Sequence, residues 1–243
     1  MTANDILLES RDLVKRFGGL VAVNEVSFTL ERNTVLGLIG INGSGKTTVM
    51  NCLNGLYKAD GGSIRFEGEE LIGRSPHEVT RLGIGRTFQI PRVFRRMTLI
   101  DNLLVPLLGS NLSDAELTEQ AEECLAQVNL HGLRQNYAEE LSGGQQKLLE
   151  LARLIMLDPK LILLDEPFAG VNPSLCQLLL ERIEGLLDKG KSFILVSHDL
   201  TSIYRLSSHI IVLNEGRKIA EGSVDEVKNN PDVIEAYLGS ASA

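Results

Sequence analysis

The chain has 243 residues, of which 43 % are apolar, and its formal net charge is −8. This length suits one large α/β domain, and the acidic balance excludes the broad basic surface on which general nucleic-acid binding depends. No apolar run approaches the roughly 20 residues that cross a bilayer as a helix. Asn4, Asp5 and Glu9 interrupt the region where a secretion signal would be apolar. We therefore expect a protein that stays in the cytoplasm unless a partner holds it at a membrane.

The three cysteines carry no metal-binding pattern. Cys52, Cys124 and Cys176 fall in apolar stretches without the spacing of metal ligands. An odd, scattered set of this kind predicts buried thiols in a reducing compartment.

The first patterns along the chain are those of short strands. Residues 21–30 end in an alternation of apolar and polar residues, which predicts a half-buried antiparallel strand. A glycine-rich turn at 60–62 leads into another short strand over 63–67. We expect these segments to form a small antiparallel sheet.

Three other segments, residues 35–39, 161–164 and 193–196, are continuous apolar runs. Such runs are typical of strands in a parallel sheet that is covered on both faces. Helical patterns separate them, as in a doubly wound α/β fold.

A phosphate-binding pattern follows the first of these runs. Residues 40–47 read GINGSGKT and match G-x-x-x-x-G-K-[ST] between a strand and a helix. The glycines let successive backbone N–H groups point at phosphate oxygens, and the helix presents its positive end to the anion. Lys46 adds a positive charge at the outer phosphates, and the Thr47 hydroxyl can ligate Mg²⁺. A glycine-rich turn without a ligand is the alternative, but the context favours nucleotide binding.

The stretch from Thr98 to about Leu141 is mostly helical in pattern. Ser113 and Glu116 have the spacing of a capping box ahead of periodic apolar residues. We expect a helical subdomain inserted into the α/β core.

A second glycine motif, LSGGQQ at 141–146, begins the next helix. Ser142 and Gln145 have capping-box spacing, and the helix ends at Asp158-Pro159. Exposed N–H groups at the helix start favour an anion. An ordinary capped helix would show the same local features.

The apolar run 161–164 ends in two carboxylates, Asp165 and Glu166. Ligands of open α/β sheets bind beyond the carboxyl ends of strands. There Asp165 can hold Mg²⁺, Glu166 can polarise an attacking water, and His198, after the run 193–196, can contact the terminal phosphate. Solvated acids and a structural histidine are the alternatives. Farther on, a hairpin turn is expected at 214–216 and a capped helix at Ser223.

The order of motifs now supports a resemblance over nearly the whole chain. GINGSGKTT, Gln89 within RTFQIP, LSGGQQ, LILLDE and His198 together resemble the ATP-binding-cassette family. The resemblance implies one domain over 1–243 with a phosphate-loop NTPase core, a mostly parallel sheet and an N-terminal antiparallel β subdomain. Residues 1–92 and 143–243 would form the core with its β subdomain, and residues 93–142 the inserted helical subdomain.

The family implies a role for each matching residue. Phe17 would stack on the adenine of ATP, Gln89 would reach Mg²⁺ and the water, Glu166 would be the general base, and His198 would contact the γ-phosphate. The residues implied to bind the ATP phosphates are Gly40, Ile41, Asn42, Gly43, Ser44, Gly45, Lys46, Thr47 and Thr48. The residues implied to ligate Mg²⁺ are Thr47, Gln89 and Asp165. The residues implied to cap the ATP of an opposing subunit are Ser142, Gly143, Gly144 and Gln145.

Within the family the chain is similar to the ATPases of branched-chain amino acid importers. The similar segments are GIGRTFQ at 83–89, AGVNP at 169–173 and the ending at 216–239. Importers of urea or short amides and the lipopolysaccharide-export ATPase are the neighbouring alternatives. Ile41 stands where many members have proline, and Asn172 where aspartate is usual.

The resemblance also implies partners and a location. These are integral-membrane permease subunits, a second ATPase subunit (the same or a sister chain), indirectly an extracytoplasmic solute-binding protein, and no nucleic acid. The protein would lie peripherally at the cytoplasmic face of the inner or plasma membrane. A soluble family member acting on nucleic acid or ribosomes, or a non-hydrolysing nucleotide-binding regulator, is the alternative class.

Several arginines cluster around Gln89 together with Phe88, Val93 and Phe94. They are Arg81, Arg86, Arg92, Arg95 and Arg96. The cluster predicts either a solvated basic face or a groove that receives a cytoplasmic helix of the membrane subunit.

Overall fold

The computed structural model describes residues 5–239. Its strands are β1 (Ile6–Phe17), β2 (Leu20–Glu31), β3 (Val35–Gly40), β4 (Gly61–Phe66), β5 (Glu69–Glu70), β6 (Ile84–Arg86), β7 (Leu161–Asp165), β8 (Ser192–Val196), β9 (His209–Asn214) and β10 (Arg217–Gly222). Its helices are α1 (Lys46–Leu53), α2 (Pro76–Arg81), α3 (Leu99–Leu104), α4 (Asp114–Gln127), α5 (Gly143–Met156), α6 (Pro173–Asp188), α7 (Leu200–Leu206), α8 (Val224–Lys228) and α9 (Pro231–Gly239).

The larger sheet has six strands in the order β10-β9-β3-β8-β7-β6. All neighbours pair in parallel except β9 and β10, which form the hairpin expected at 214–216. The carboxyl ends of β3, β8 and β7 therefore meet at one edge. This arrangement confirms the α/β class and brings the three motif-bearing strand ends together.

The continuous apolar runs follow from a sheet that is covered on both faces. Along β3, Val35 and Ile39 enter one core cluster with the helices, whereas Leu36 and Leu38 enter the other with α1 and the smaller sheet. Both faces of the strand must therefore be apolar, which removes the usual alternation.

The smaller sheet is antiparallel, with the order β2-β1-β4-β5. The expected strands correspond to β2 and β4, but β1 lies between them and was not predicted. Its pairing with β2 slips at several points, and Asp12 has a left-handed backbone with φ of 46°. These irregularities break the period-2 pattern, so β1 has no clear strand signature in the sequence.

Helices fill the stretch between β6 and β7. α3 and α4 pack on α5, and 3₁₀ turns at 105–107, 131–133 and 138–140 connect them. Capping boxes close the starts of α4 at Ser113, α5 at Ser142 and α8 at Ser223, as their spacing predicts. The division of the chain at 92/93 and 142/143 stays a prediction.

Two of the three cysteines are buried as expected, and Cys176 is not. Burial raises the pKa of Cys52 and Cys124 to about 11, so both thiols are inert near neutral pH. Cys176 is half-buried on α6, with Sγ 3.5 Å from the Val171 carbonyl. Among residues 5–239, no helix is both long and apolar enough to cross a membrane.

Candidate functional site

The loop between β3 and α1 has the geometry of an anion cradle. Gly45 has φ of 105°, and a Cβ there would lie 2.6 Å from the Ala22 carbonyl oxygen. Gly40 is equally constrained, because its Cβ would lie 2.2 Å from the Leu213 carbonyl oxygen. Glycine is therefore required at both positions. The loop is braced from outside by Gly216, whose N–H donates to the Ser44 carbonyl at 3.0 Å.

Lys46, the first residue of α1, curls back over its own loop. Its Nζ donates to the carbonyls of Gly40 at 2.7 Å and Ile41 at 2.9 Å. Burial lowers the pKa of Lys46, and the nearby carboxylates of Glu166 and Asp165 oppose that shift. The amine thus stands over the loop amides, where it can exchange carbonyl oxygens for phosphate oxygens.

Asp165, the last residue of β7, is held by a buried ion pair. Arg86 Nη2 donates to Asp165 Oδ2 at 2.9 Å, and both side chains are 5 % exposed. Arg86 Nη1 donates to Asn51 Oδ1 on α1 at 2.7 Å. The guanidinium therefore joins the acidic strand end to the helix of the phosphate loop.

The position of Arg86 corrects one expectation from the sequence. Arg86 belongs to neither a solvated basic face nor a docking groove, because it is buried against Asp165. Its side chain projects from β6, which pairs with β7 in the sheet. The guanidinium carbon of Arg92, by contrast, lies 4.4 Å from the centroid of the Phe88 ring. Ile90, beside Gln89, is 80 % exposed.

Glu166 follows β7 in a strained conformation. Its φ is 50°, which an L side chain rarely adopts, and its N–H donates to the Val196 carbonyl at 2.8 Å. His198 meets this carboxylate twice, through its backbone N–H at 3.2 Å and its Nδ1 at 2.7 Å from Oε2. The structure thus brings Glu166 and His198 into direct contact.

One cleft of about 640 Å³ joins most of the predicted site residues. It is lined by Phe17, the loop residues 42–48, Gln89, Asp165 and Glu166. Phe17 is 43 % exposed and meets Tyr57 edge-on with ring centroids 5.2 Å apart. Its exposure distinguishes Phe17 from a core phenylalanine.

The cleft contains oxygen donors suited to a magnesium ion. Thr47, Gln89 and Asp165 offer a hydroxyl, an amide and a carboxylate oxygen, which are the hard ligands Mg²⁺ prefers. Within residues 5–239, no cluster of three or more His, Cys, Asp or Glu residues could hold a metal. Because Mg²⁺ usually takes one or two carboxylates together with substrate phosphates, this donor set fits it.

The glycines of LSGGQQ do not line this cleft. Ser142 caps α5, with its Oγ accepting from the Gln145 N–H at 3.4 Å, and Ser142 and Gly143 are exposed. Gly144 is buried against Leu175, which a Cβ would approach to 2.8 Å. The start of α5 is therefore a surface feature, open to a partner.

Asn172 caps α6 by accepting from the Leu175 N–H at 3.0 Å. An aspartate would make the same bond, so the departure from the usual residue leaves the cap intact.

Lys147, two residues after Gln145, was missed by the sequence reasoning. It is buried, and its Nζ donates to the backbone carbonyls of Glu166 at 2.6 Å and Ala169 at 2.8 Å. The sequence gives no sign that this lysine is buried, because the charged Glu150 follows it three residues later on the same helix. Lys147 thus ties α5 to the segment that carries Glu166.

We expect Lys147→Met to slow the ATP hydrolysis that the resemblance implies by about 10- to 100-fold, because small displacements of reacting groups carry penalties of this order. The half-buried Ala169 carbonyl would also lose the Lys147 donor, whereas the Glu166 carbonyl would keep the Ala169 N–H at 3.3 Å, so the free energy of unfolding should fall by about 1–3 kcal/mol. Steady-state ATPase assays and urea unfolding measure both effects. Lys189→Met, at an exposed lysine after α6, is the control, and an unchanged rate in Lys147→Met would contradict the role of Lys147.

The fold, the phosphate loop and the acidic strand end define a phosphate-loop nucleoside triphosphatase. A family model described as ABC transporter matches residues 23–169, and the chain belongs to the ATP-binding-cassette transporter ATPases. A second model, described as a branched-chain amino acid ATP-binding cassette transporter, matches residues 217–243.

Individual proteins agree with this assignment. The chain is 42 % identical to the probable branched-chain amino acid transport ATP-binding protein LivG of Archaeoglobus fulgidus, over 96 % of each chain. It is 41 % identical to the BraF protein of Pseudomonas aeruginosa, described as a high-affinity branched-chain amino acid transport ATP-binding protein, over 97 % of this chain and 98 % of BraF. The ADP conformation of MJ1267, an ATP-binding cassette of an ABC transporter, superposes with a TM-score of 0.86 at 35 % identity, covering 96 % of this chain and 99 % of MJ1267.

Proposed function

We propose that this chain hydrolyses ATP to drive an importer of branched-chain amino acids. The observation that carries the proposal is the single cleft that joins the phosphate loop to Asp165 and Glu166. The relatives supply the transported class, since LivG and BraF are both branched-chain amino acid transport ATP-binding proteins.

In this mechanism the phosphates of ATP lie along the amides of residues 43–48, which line the cleft. Lys46 leaves the carbonyls of Gly40 and Ile41 and turns to the outer phosphates, where a charge-assisted bond is stronger. Phe17 stacks on the adenine, since its ring is exposed at the rim of the same cleft. A bound Mg²⁺, held by Thr47, Gln89 and Asp165, would neutralise charge on the phosphates.

Glu166 accepts a proton from the attacking water. An ionised carboxylate only accepts hydrogen bonds, so Nδ1 of His198 must donate to it. The opposite ring nitrogen, Nε2, can donate to a γ-phosphate oxygen provided that it carries a proton as well. His198 therefore orients the base and contacts the phosphate with two different atoms.

The exposed start of α5 completes the site from a second subunit. Ser142, Gly143, Gly144 and Gln145 would cap the ATP held by an opposing ATPase, in a head-to-tail dimer. Ser142 and Gly143 do not line the cleft of their own chain, which supports a role toward a partner.

The segment after Gln89 would receive the permease at the cytoplasmic face of the membrane. Ile90 is 80 % exposed and Phe94 is 42 % exposed. Exposed apolar side chains of this kind, flanked by arginines, favour docking of a partner helix.

Co-purification from gently solubilised membranes tests this assignment. The wild-type chain is expected to bring down integral-membrane permease subunits, and Ile90→Asp to lose them because a charge would be buried at the contact. Ile234→Asp, at an exposed apolar residue of α9, is the matched control. Recovery of no permease with the wild-type chain would contradict the transport role.

A further inference from the structure

The loop that carries Gln89 is anchored to α5 by one buried carboxylate. Glu150 Oε1 accepts from the Arg92 N–H at 3.0 Å, and Oε2 accepts from the Phe88 N–H at 3.3 Å. Gln89 lies between these two residues in the chain. A single side chain of α5 therefore holds both ends of the segment 88–92.

A second residue of α5 strengthens this anchor. Arg153 Nη1 donates to the Arg92 carbonyl at 2.5 Å, and its guanidinium lies 4.8 Å from the Phe94 ring centroid. Arg153 follows Glu150 by three residues, so both project from the same side of the helix. Together they fix the N–H and the carbonyl of Arg92.

The carboxylate of this anchor is buried. Glu150 is only 5 % exposed, and burial raises its pKa, while the hydrogen bonds from the Arg92 and Phe88 amides and the charges of Arg153 and Lys147 oppose that shift. Because a buried carboxylate without partners is costly, release of the loop requires Glu150 to become hydrated or to find other donors. The loop therefore tends to move together with α5.

We propose that Glu150 is a positioning residue that sets the place of Gln89 in the cleft. α5 begins at the LSGGQQ motif, and Glu150 lies eight residues beyond Ser142, about 12 Å along the helix. Glu150 thereby couples the signature end of α5 to Gln89, so that a shift of one is transmitted to the other. This inference rests on the proposed role of Gln89 in the reaction.

Amide hydrogen exchange tests the anchor without nucleotide or metal. In the wild-type protein the amides of Phe88 and Arg92 are expected to be protected, and in Glu150→Gln to exchange faster, because an amide side chain cannot offer two equivalent acceptors. Glu119→Gln, at an exposed residue of α4, is the control. Unprotected amides in the wild type, or the same exchange in Glu150→Gln, would overturn the proposal.

A double-mutant cycle separates positioning from a merely structural role. Glu150→Gln is expected to lower kcat by about 10- to 100-fold, with KM for ATP nearly unchanged. In a Gln89→Ala background the same change should have little further effect, because its target is already gone.

Two outcomes distinguish a failure of this inference from a failure of the proposed role of Gln89. If Gln89→Ala hydrolyses ATP at the wild-type rate, the role of Gln89 fails and the inference fails with it. Suppose instead that Gln89→Ala is slow. If Glu150→Gln then lowers the rate by the same factor in the wild type and in Gln89→Ala, or lowers it in neither, only the inference fails.

Discussion

Glu166→Gln is expected to abolish ATP hydrolysis almost completely while leaving ATP binding intact. The change is isosteric and removes only the basicity of the group that accepts the water's proton. General-base catalysis contributes about 10²- to 10⁴-fold, so kcat should fall by that factor. Because hydrolysis reopens the proposed dimer, the variant should also accumulate as an ATP-bound dimer. Steady-state phosphate release and size-exclusion chromatography with Mg-ATP measure the two effects.

Glu215→Gln is the matched control for this prediction. Glu215 lines the same cleft and shares the left-handed backbone, with φ of 47° against 50° for Glu166. It has no proposed role in the reaction, so its rate should stay near the wild-type value. Normal hydrolysis by Glu166→Gln, or equal loss in both variants, would show that Glu166 is not the base.

Lys46→Ala is expected to weaken ATP binding. A hydrogen bond to a charged group contributes about 1.5–3 kcal/mol, which corresponds to roughly a 10- to 150-fold increase in the Kd for ATP. Equilibrium titration with a fluorescent ATP analogue in the presence of Mg²⁺ measures this increase in Kd. Lys58→Ala, at an exposed lysine outside the loop, serves as the control.

The Lys46 variant should still fold, because the only hydrogen bonds that the loop carbonyls of Gly40 and Ile41 lose are those from the Lys46 amine. Its melting temperature should therefore remain close to that of the wild type. An unchanged Kd for ATP would reject the phosphate role of Lys46.

The predictable parts of this molecule are those in which a local pattern determines the structure. Buried parallel strands leave continuous apolar runs, and the functional groups follow directly after them, so the phosphate loop, Asp165, Glu166 and His198 could be located from the sequence. Helix starts were equally predictable, because a capping box involves only residues three apart.

Contacts between distant segments could not be predicted in this way. Arg86 reaches Asp165 across 79 positions, and Glu150 reaches Phe88 across 62. Nothing near Arg86 in the sequence separates it from the exposed arginines that follow, because only the pairing of β6 with β7 turns it inward. Lys147 and Glu150 were equally hidden, since a charged residue on a helix is normally solvent-facing.

The most direct test of the account is a crystal structure of the Glu166→Gln variant grown with Mg-ATP. The account predicts a triphosphate against the amides of residues 43–48, with the start of α5 from a second copy over the same nucleotide. An empty loop, or ATP bound elsewhere on the chain, would contradict it.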